Sequence, residues 1–194
     1  MVVGKHGITP ETPKNILLGA GTFLKGIQWN TSEKKWEGTI VGATTGGGKL
    51  AIEGEYKDLD IDGALILFKG QTVKLGGKSN MEFNLTEING DTIKMGTNFK
   101  QTESDAEGYD LFVDKPNIEE GDYLENFGFV GKTANGEKDI IVIYEYALCK
   151  SAFELEAKNK EQTTYKINLE AYADNTGDLD TLPIKIYYPT PAAG

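Results

Sequence analysis

Asn80-Met81-Glu82-Phe83-Asn84-Leu85-Thr86 is the stretch whose reading decides the fold. Met81, Phe83 and Leu85 alternate with Asn80, Glu82, Asn84 and Thr86. A period of two sends successive side chains to opposite faces of a strand, so the segment predicts a half-buried β-strand with a polar outer face. The pattern recurs twice downstream. Phe153, Leu155 and Ala157 alternate with Glu154 and Glu156, and Tyr165, Ile167, Leu169 and Ala171 alternate with Lys166, Asn168 and Glu170. Residues 139–148 differ: they are apolar at most positions of both parities, which predicts a central strand covered on both faces.

The rest of the chain reads outward from these segments. Residues 15–29 predict one strand, or two short ones broken at Gly19, Gly21 and Gly26. A strand over 36–41 runs into a glycine-rich stretch, 42–48, expected to be a flexible loop. Residues 49–62 predict a long strand whose apolar parity slips from Leu50 and Ile52 to Leu59 and Ile61, with a bulge near Gly54. Another strand is expected over 64–75, ending at Gly76-Gly77. Asn135-Gly136 marks a hairpin turn, and 182–188 a last strand with Pro183 at its start. Residues 89–96 predict one short helix, with Asp91 as N-cap and Gly96 as the stop; 154–160 stays ambiguous between helix and strand. Twenty-four glycines, set between runs rich in Ile, Val, Thr, Tyr and Phe, punctuate strands. The fold class is mainly β, a β-sandwich or barrel with one short helix, in a single domain spanning 15–194. Residues 1–14, with Thr9, Pro10 and Pro13, read as an extended N-terminal arm.

Composition excludes several functions. Net charge is −10, which disfavours sequence-reading nucleic-acid binders. Residues 101–126 hold nine acids against Lys115 and read as a solvated acidic loop. One cysteine, Cys149, rules out an internal disulfide and reads as a small core residue. No apolar leader opens the chain and no run has the ~18 apolar residues of a membrane span, so folding in a reducing cytoplasm is expected, away from any membrane.

No chemistry stands out. Ala43-Thr44-Thr45-Gly46-Gly47-Gly48-Lys49-Leu50 imitates a phosphate-binding loop, but its first glycine is Ala43 and the magnesium-holding hydroxyl is replaced by Leu50. It also opens into a strand, where the motif needs a helix N-terminus. One histidine, His6, leaves no basis for a histidine triad or a histidine-containing zinc site. The acids do not follow the spacing of a calcium-binding loop. The expectation is a protein without enzymatic activity, metal or cofactor.

The order of motifs carries a resemblance. Asn15-Ile16-Leu17-Leu18-Gly19-Ala20-Gly21 precedes a tryptophan-bearing strand, followed by the glycine stretch 42–48, Asp62-Gly63-Ala64 and Val73-Lys74-Leu75-Gly76-Gly77-Lys78. Asn84-Leu85-Thr86-Glu87-Ile88 and Asp180-Thr181-Leu182-Pro183-Ile184 complete the set. From about residue 10 to 189 the chain resembles the major tail tube proteins of tailed phages that infect Gram-positive bacteria. Tubes of contractile tails, phage-derived bacteriocins and type VI secretion systems are similar in fold. The resemblance implies a β-sandwich or barrel of the tail tube type with a flanking helix, assembled as hexameric rings stacked into a hollow conduit for genome delivery. It implies a place in the virion tail, or in a bacteriocin-like particle, assembled in the host cytoplasm. The implied partners are copies of itself, tape measure, tail tip or baseplate and terminator proteins, and a sheath if the tail contracts. Double-stranded DNA would pass through the lumen without specific binding. The polar positions Asn80, Glu82, Asn84, Glu154, Glu156, Lys166, Asn168 and Glu170 would line that lumen, Glu dominating. Thr9, Pro10, Gly42, Thr44, Gly46, Gly47 and Gly48 would contact neighbouring subunits. The competing reading is a monomeric adhesion or binding module, such as a carbohydrate-binding domain, using Trp29, Trp36, Tyr187 and Tyr188.

Overall fold

A computed structural model describes residues 12, 16, 19, 21–133, 139–155, 159–160 and 162–189. Strand β1 (Thr22–Asn30) is followed by β2 (Lys35–Ile40), β3 (Thr44–Asp58) and β4 (Thr72–Leu85). Helix α1 (Gly90–Thr97) comes next, then a small hairpin of β5 (Lys100–Thr102) and β6 (Leu111–Val113). β7 (Leu124–Lys132), β8 (Asp139–Cys149), β9 (Tyr165–Tyr172) and β10 (Ile184–Tyr187) complete the chain. The main sheet runs β2-β1-β7-β8-β9-β4-β3, with every described pairing antiparallel and β10 added to β8.

This sheet is folded over on itself. In hydrogen-bonded order β1 and β4 lie four strands apart, which in a flat sheet is about 19 Å. Yet Phe23 of β1 stacks on Phe83 of β4 with ring centroids 4.0 Å apart. The two limbs therefore face each other across a core of Phe23, Met81, Phe83, Leu85, Phe127, Val142, Tyr144, Tyr165, Ile167 and Leu169. Gly48 is needed there, because a Cβ would stand 2.3 Å from the Phe23 ring. At one end, α1 adds Met95 to this core.

Alternation delivers what it promised in β4 and β9. Ser79, Met81, Phe83 and Leu85 are buried, as are Tyr165, Ile167 and Leu169, while their neighbours are half-buried or exposed. β8 is covered on both sides as expected. Val142 and Tyr144 join the main core, and Ile141 and Ile143 join Ile27 in a second cluster roofed by Leu24, Trp36 and Val130. Cys149 is buried in the core. The register slip falls between Glu55 and Tyr56, beside the expected bulge.

Several expectations are corrected. The stretch 42–48 is no free loop, since β3 begins at Thr44. Gly46 and Gly47, at φ of 72° and 77°, absorb a register jump between Thr45 and Gly48 against β4. The expected strand over 64–75 begins only at Thr72, and β3 ends at Asp58 where 49–62 was expected. Between them Gly63 and Gly70 turn the chain at positive φ, and Leu65–Phe68 find no layer to pack on. Residues 152–155 form no strand: Phe153 leaves the sheet to stack edge-on against Tyr165 at 5.2 Å.

The helix stands, but its caps move outward. Asn89 Oδ1 accepts from the Thr92 N–H at 3.0 Å, and Asn98, left-handed at φ 58°, closes the C-terminus. β7 has no counterpart among the expected strands, because Asn126 at φ 46°, Gly128 and Gly131 break its pattern. Gly128 is obligatory: a Cβ there would lie 2.1 Å from the Val142 carbonyl oxygen. Within the expected 15–29 strand β1 covers Thr22 onward, residues 15, 17, 18 and 20 lying outside the described residues, and the last strand starts at Ile184, just past Pro183. The Asn135-Gly136 turn lies outside the described residues, as does the arm 1–14 apart from Thr12.

Candidate functional site

Three surfaces are built from the residues the sequence singled out. The first is the polar face of β3, β4 and β9. Cross-strand register places Asn80 opposite Glu170, Glu82 opposite Asn168 and Asn84 opposite Lys166. Six of the eight positions expected to share a face are thus brought together. Glu154 is exposed but lies on no strand, and Glu156 lies outside the described residues. The third strand of this wall is β3 instead, which sets Lys49 opposite Glu82 and Ala51 opposite Asn80.

That substitution changes the electrostatics. An acidic lining was expected with Lys166 its main exception, but lysines lie among the acids of this face. Lys166 Nζ meets Glu82 at 2.8 Å, and Lys78 meets Glu53 at 3.3 Å. Lys150 pairs with Glu170. The hydrogen bond from Lys166, more than its charge or that of Lys49, holds the Glu82 carboxyl below its usual range. Glu170 and the phenol of Tyr172 hold the Lys150 ammonium well above its ordinary value. The face is therefore a mosaic of both signs, weakly attractive to any polyanion because Lys78, Lys150 and Lys166 are already engaged by carboxylates.

The second surface is the distal half of the β3–β4 hairpin. Leu65 is 97% exposed, Ile66 81%, Leu67 64% and Phe68 50%. A contiguous run of this kind at the end of a projecting hairpin is unusual for a monomeric protein in water. Gln71, almost fully buried, organises the tip. Its side-chain amide donates to the Leu59 carbonyl at 2.7 Å and accepts from the Phe68 N–H at 3.1 Å. Thr72 Oγ1 donates to Asp58 at 2.5 Å below it. Sequence alone reads this run as part of a strand, because apolar composition signals burial without saying against what.

No family model and no curated protein matches this chain.

The third surface is aromatic. Trp29 meets Trp36 edge to face with centroids 5.4 Å apart, and Trp36 meets Tyr187 at 4.6 Å. Trp29, Tyr187 and Tyr188 are each about half exposed. Trp36 also packs on Ile27, Ile141 and Ile143, which gives it a packing role beside any binding role.

The acidic segment is less solvated than expected. Lys115 and Asp122 bury their side chains against each other at 2.6 Å, and Asp122 also accepts from the Glu119 N–H at 2.7 Å. Asp122 first, then Glu119, draws the Lys115 ammonium up from its ordinary value. Among the described residues, no group of three His, Cys, Asp or Glu is placed to hold a metal ion. Of the expected subunit contacts, Thr44, Gly46, Gly47 and Gly48 sit in β3, Gly42 stands just before it, and Thr9 and Pro10 lie outside the described residues. Lys49 projects from a strand beside Glu82, so its neighbourhood offers no phosphate cradle.

Proposed function

We propose that this chain is a non-enzymatic structural subunit that assembles with copies of itself, as the tail tube proteins it resembles do, into stacked rings enclosing a channel. The observation that carries this reading is the exposed apolar tip, Leu65–Phe68, held out by a preformed hairpin. Water contact there is costly at about 25 cal/mol per Å², so the tip gains most by burial in a neighbour. A contact between one copy's tip and a different patch on the next is head-to-tail, the geometry that closes into rings or continues as filaments. The folded-over sheet suits a sandwich or barrel of the tail tube type, and its polar β3-β4-β9 face suits a channel wall. Paired lysines and glutamates would let DNA pass with little counterion release. Tape measure, tail tip and terminator proteins are the further partners of such a tube.

Size-exclusion chromatography with negative-stain microscopy tests the reading. The protein is expected to build rings or tubes. The variant Leu65→Ser/Ile66→Ser/Leu67→Ser is expected to remain a folded single subunit. A wild-type chain that stays monomeric at every concentration would overturn the proposal.

A second reading rests on the aromatic cluster. Half-exposed Trp29, Tyr187 and Tyr188 offer ring faces on which a sugar could stack, as in a monomeric carbohydrate-binding module. Calorimetric titration with neutral oligosaccharides decides it. Saturable binding lost in Trp29→Ala, by a protein that never assembles, favours the module; no binding at millimolar sugar removes it.

A further inference from the structure

The β3–β4 hairpin has three zones, and they differ in what holds them. Nearest the body, Met81, Phe83 and Leu85 anchor β4 in the core. At the far end, the buried Gln71 amide and the Thr72–Asp58 hydrogen bond hold the tip together without help from the body. Between them is a waist. Gly54 pairs with Gly77 and Glu55 pairs with Gly76, so two successive cross-strand positions lack a side-chain pair. Such pairs are the unit that stiffens a sheet. The register slips at the next step, between Glu55 and Tyr56. A bulge locally breaks the ladder and bends the strand that carries it.

Neighbouring contacts mark the same place. Leu182 packs onto Gly77, where its Cδ1 would stand 3.2 Å from an added Cβ. Tyr56 lays its ring across Gly54, the phenol oxygen 2.5 Å from where a Cβ would be. Residues 52–62 are all exposed, so β3 is uncovered from just before the waist onward.

We infer that the waist formed by Gly54, Gly76, Gly77 and the adjoining bulge is a hinge, about which the tip swings as a rigid unit relative to the body. Hinges of this kind are a few residues that absorb backbone rotation between two units that keep their own structure. Glycine supplies that rotation, and with two cross-strand side-chain pairs missing only the Tyr56 ring and Leu182 lie against the waist to resist it. The consequence is directional. The apolar run 65–68 can sweep an arc while the spacing of its own side chains stays constant, so a partner would meet a preformed contact at a variable angle.

Pulsed electron spin resonance measures the arc. Nitroxides on Lys69→Cys at the tip and Glu145→Cys on β8, in a Cys149→Ala background, report the tip-to-body distance. A broad distribution is expected for the glycine waist. Gly76→Thr fits without clash, its Cβ meeting only Glu55 Oε2 at 3.9 Å; it is expected to narrow that distribution about twofold by restricting the backbone. Amide hydrogen exchange on the unmodified chain gives a second measure. Amides at 54–56 and 74–77 should exchange faster than those at Phe68 and Gln71 on one side and Met81 and Phe83 on the other. A distribution already narrow with glycine in place, one that Gly76→Thr leaves unchanged, or waist amides as protected as both flanks would each overturn the hinge.

Discussion

The two halves of the β3–β4 hairpin share strands, pairing and antiparallel register, yet they meet opposite fates. In the proximal half Phe83 lies between Phe23 and Phe127, with centroids 4.0 and 6.0 Å away. In the distal half Tyr56 of β3 and Leu75 of β4 are more than half exposed, and Leu65 in the loop beyond them is almost wholly in water. Strand pairing alone therefore does not secure burial. A ladder becomes a core only where a second layer covers one face, and here the β1 limb covers the proximal half and stops. The difference teaches where stability resides: the proximal half holds the fold together, and the distal half contributes little to its core.

The largest expected effect tests that division directly. Phe83→Ala removes a ring from the middle of the folded sheet and should cost about 3–5 kcal/mol, read as a fall in urea midpoint. The tip variant Leu65→Ser/Ile66→Ser/Leu67→Ser should stay within about 0.5 kcal/mol of wild type, since exposed side chains lose little on replacement. If the tip variant proves as destabilised as Phe83→Ala, the two halves are one cooperative core and the contrast collapses.

A pH titration sharpens it from the body side. Ser79 Oγ donates to the Ala51 carbonyl, which leaves the Tyr144 hydroxyl to donate to Ser79 at 2.6 Å. Burial pushes the Tyr144 phenol up to about 12 despite that hydrogen bond. The unfolded phenol ionises near 10 and the folded one later, so its contribution is whole below pH 10. It should fade by about 2–3 kcal/mol as pH rises towards 12. Tyr144→Phe should remove that alkaline loss while keeping the Ser79–Ala51 bond. An unchanged alkaline limb in the variant would assign the loss to other groups.

The smallest effect belongs to the polar face. Glu82 is partly exposed and paired with Lys166, so Glu82→Gln should cost under about 1 kcal/mol. Its lowered carboxyl contributes stability above the unfolded value, lost as pH falls through the folded one. The wild-type and variant acid-unfolding curves should converge at low pH; curves that stay apart there would mean that the substitution disturbs packing and not charge.

Much of the fold was legible because it is written in local periodicity. Alternation at Met81-Phe83-Leu85 and at Tyr165-Ile167-Leu169 marks strands and inner faces whatever their partners are. Two-sided apolarity at 139–148 marks a covered strand, and Asn89 through Thr97 carries its own helix signals. That Asn80, Glu82 and Asn84 share one face of β4, and Lys166, Asn168 and Glu170 one face of β9, followed from parity; the pairing of the two strands did not. The candidate wall was legible only in part, because parity says which side chains share a strand's face but not which strand lies next to it. β3 took the place foreseen for 153–157 and brought Lys49, and Glu53 to pair with Lys78 of β4, into a face expected to be acidic.

What only the tertiary structure decided are the long-range matters. The sheet folds back, Phe23 finds Phe83, and Gly48 and Gly128 prove to be clearances for a ring and for a neighbouring carbonyl. The run 65–68 proves to be surface. The physical reason is the same in each case. Side-chain period is a property of a few consecutive residues, whereas burial is a property of what comes to lie above them. In this chain the covering limb reaches Met81, Phe83 and Leu85 and leaves Leu65–Phe68 uncovered.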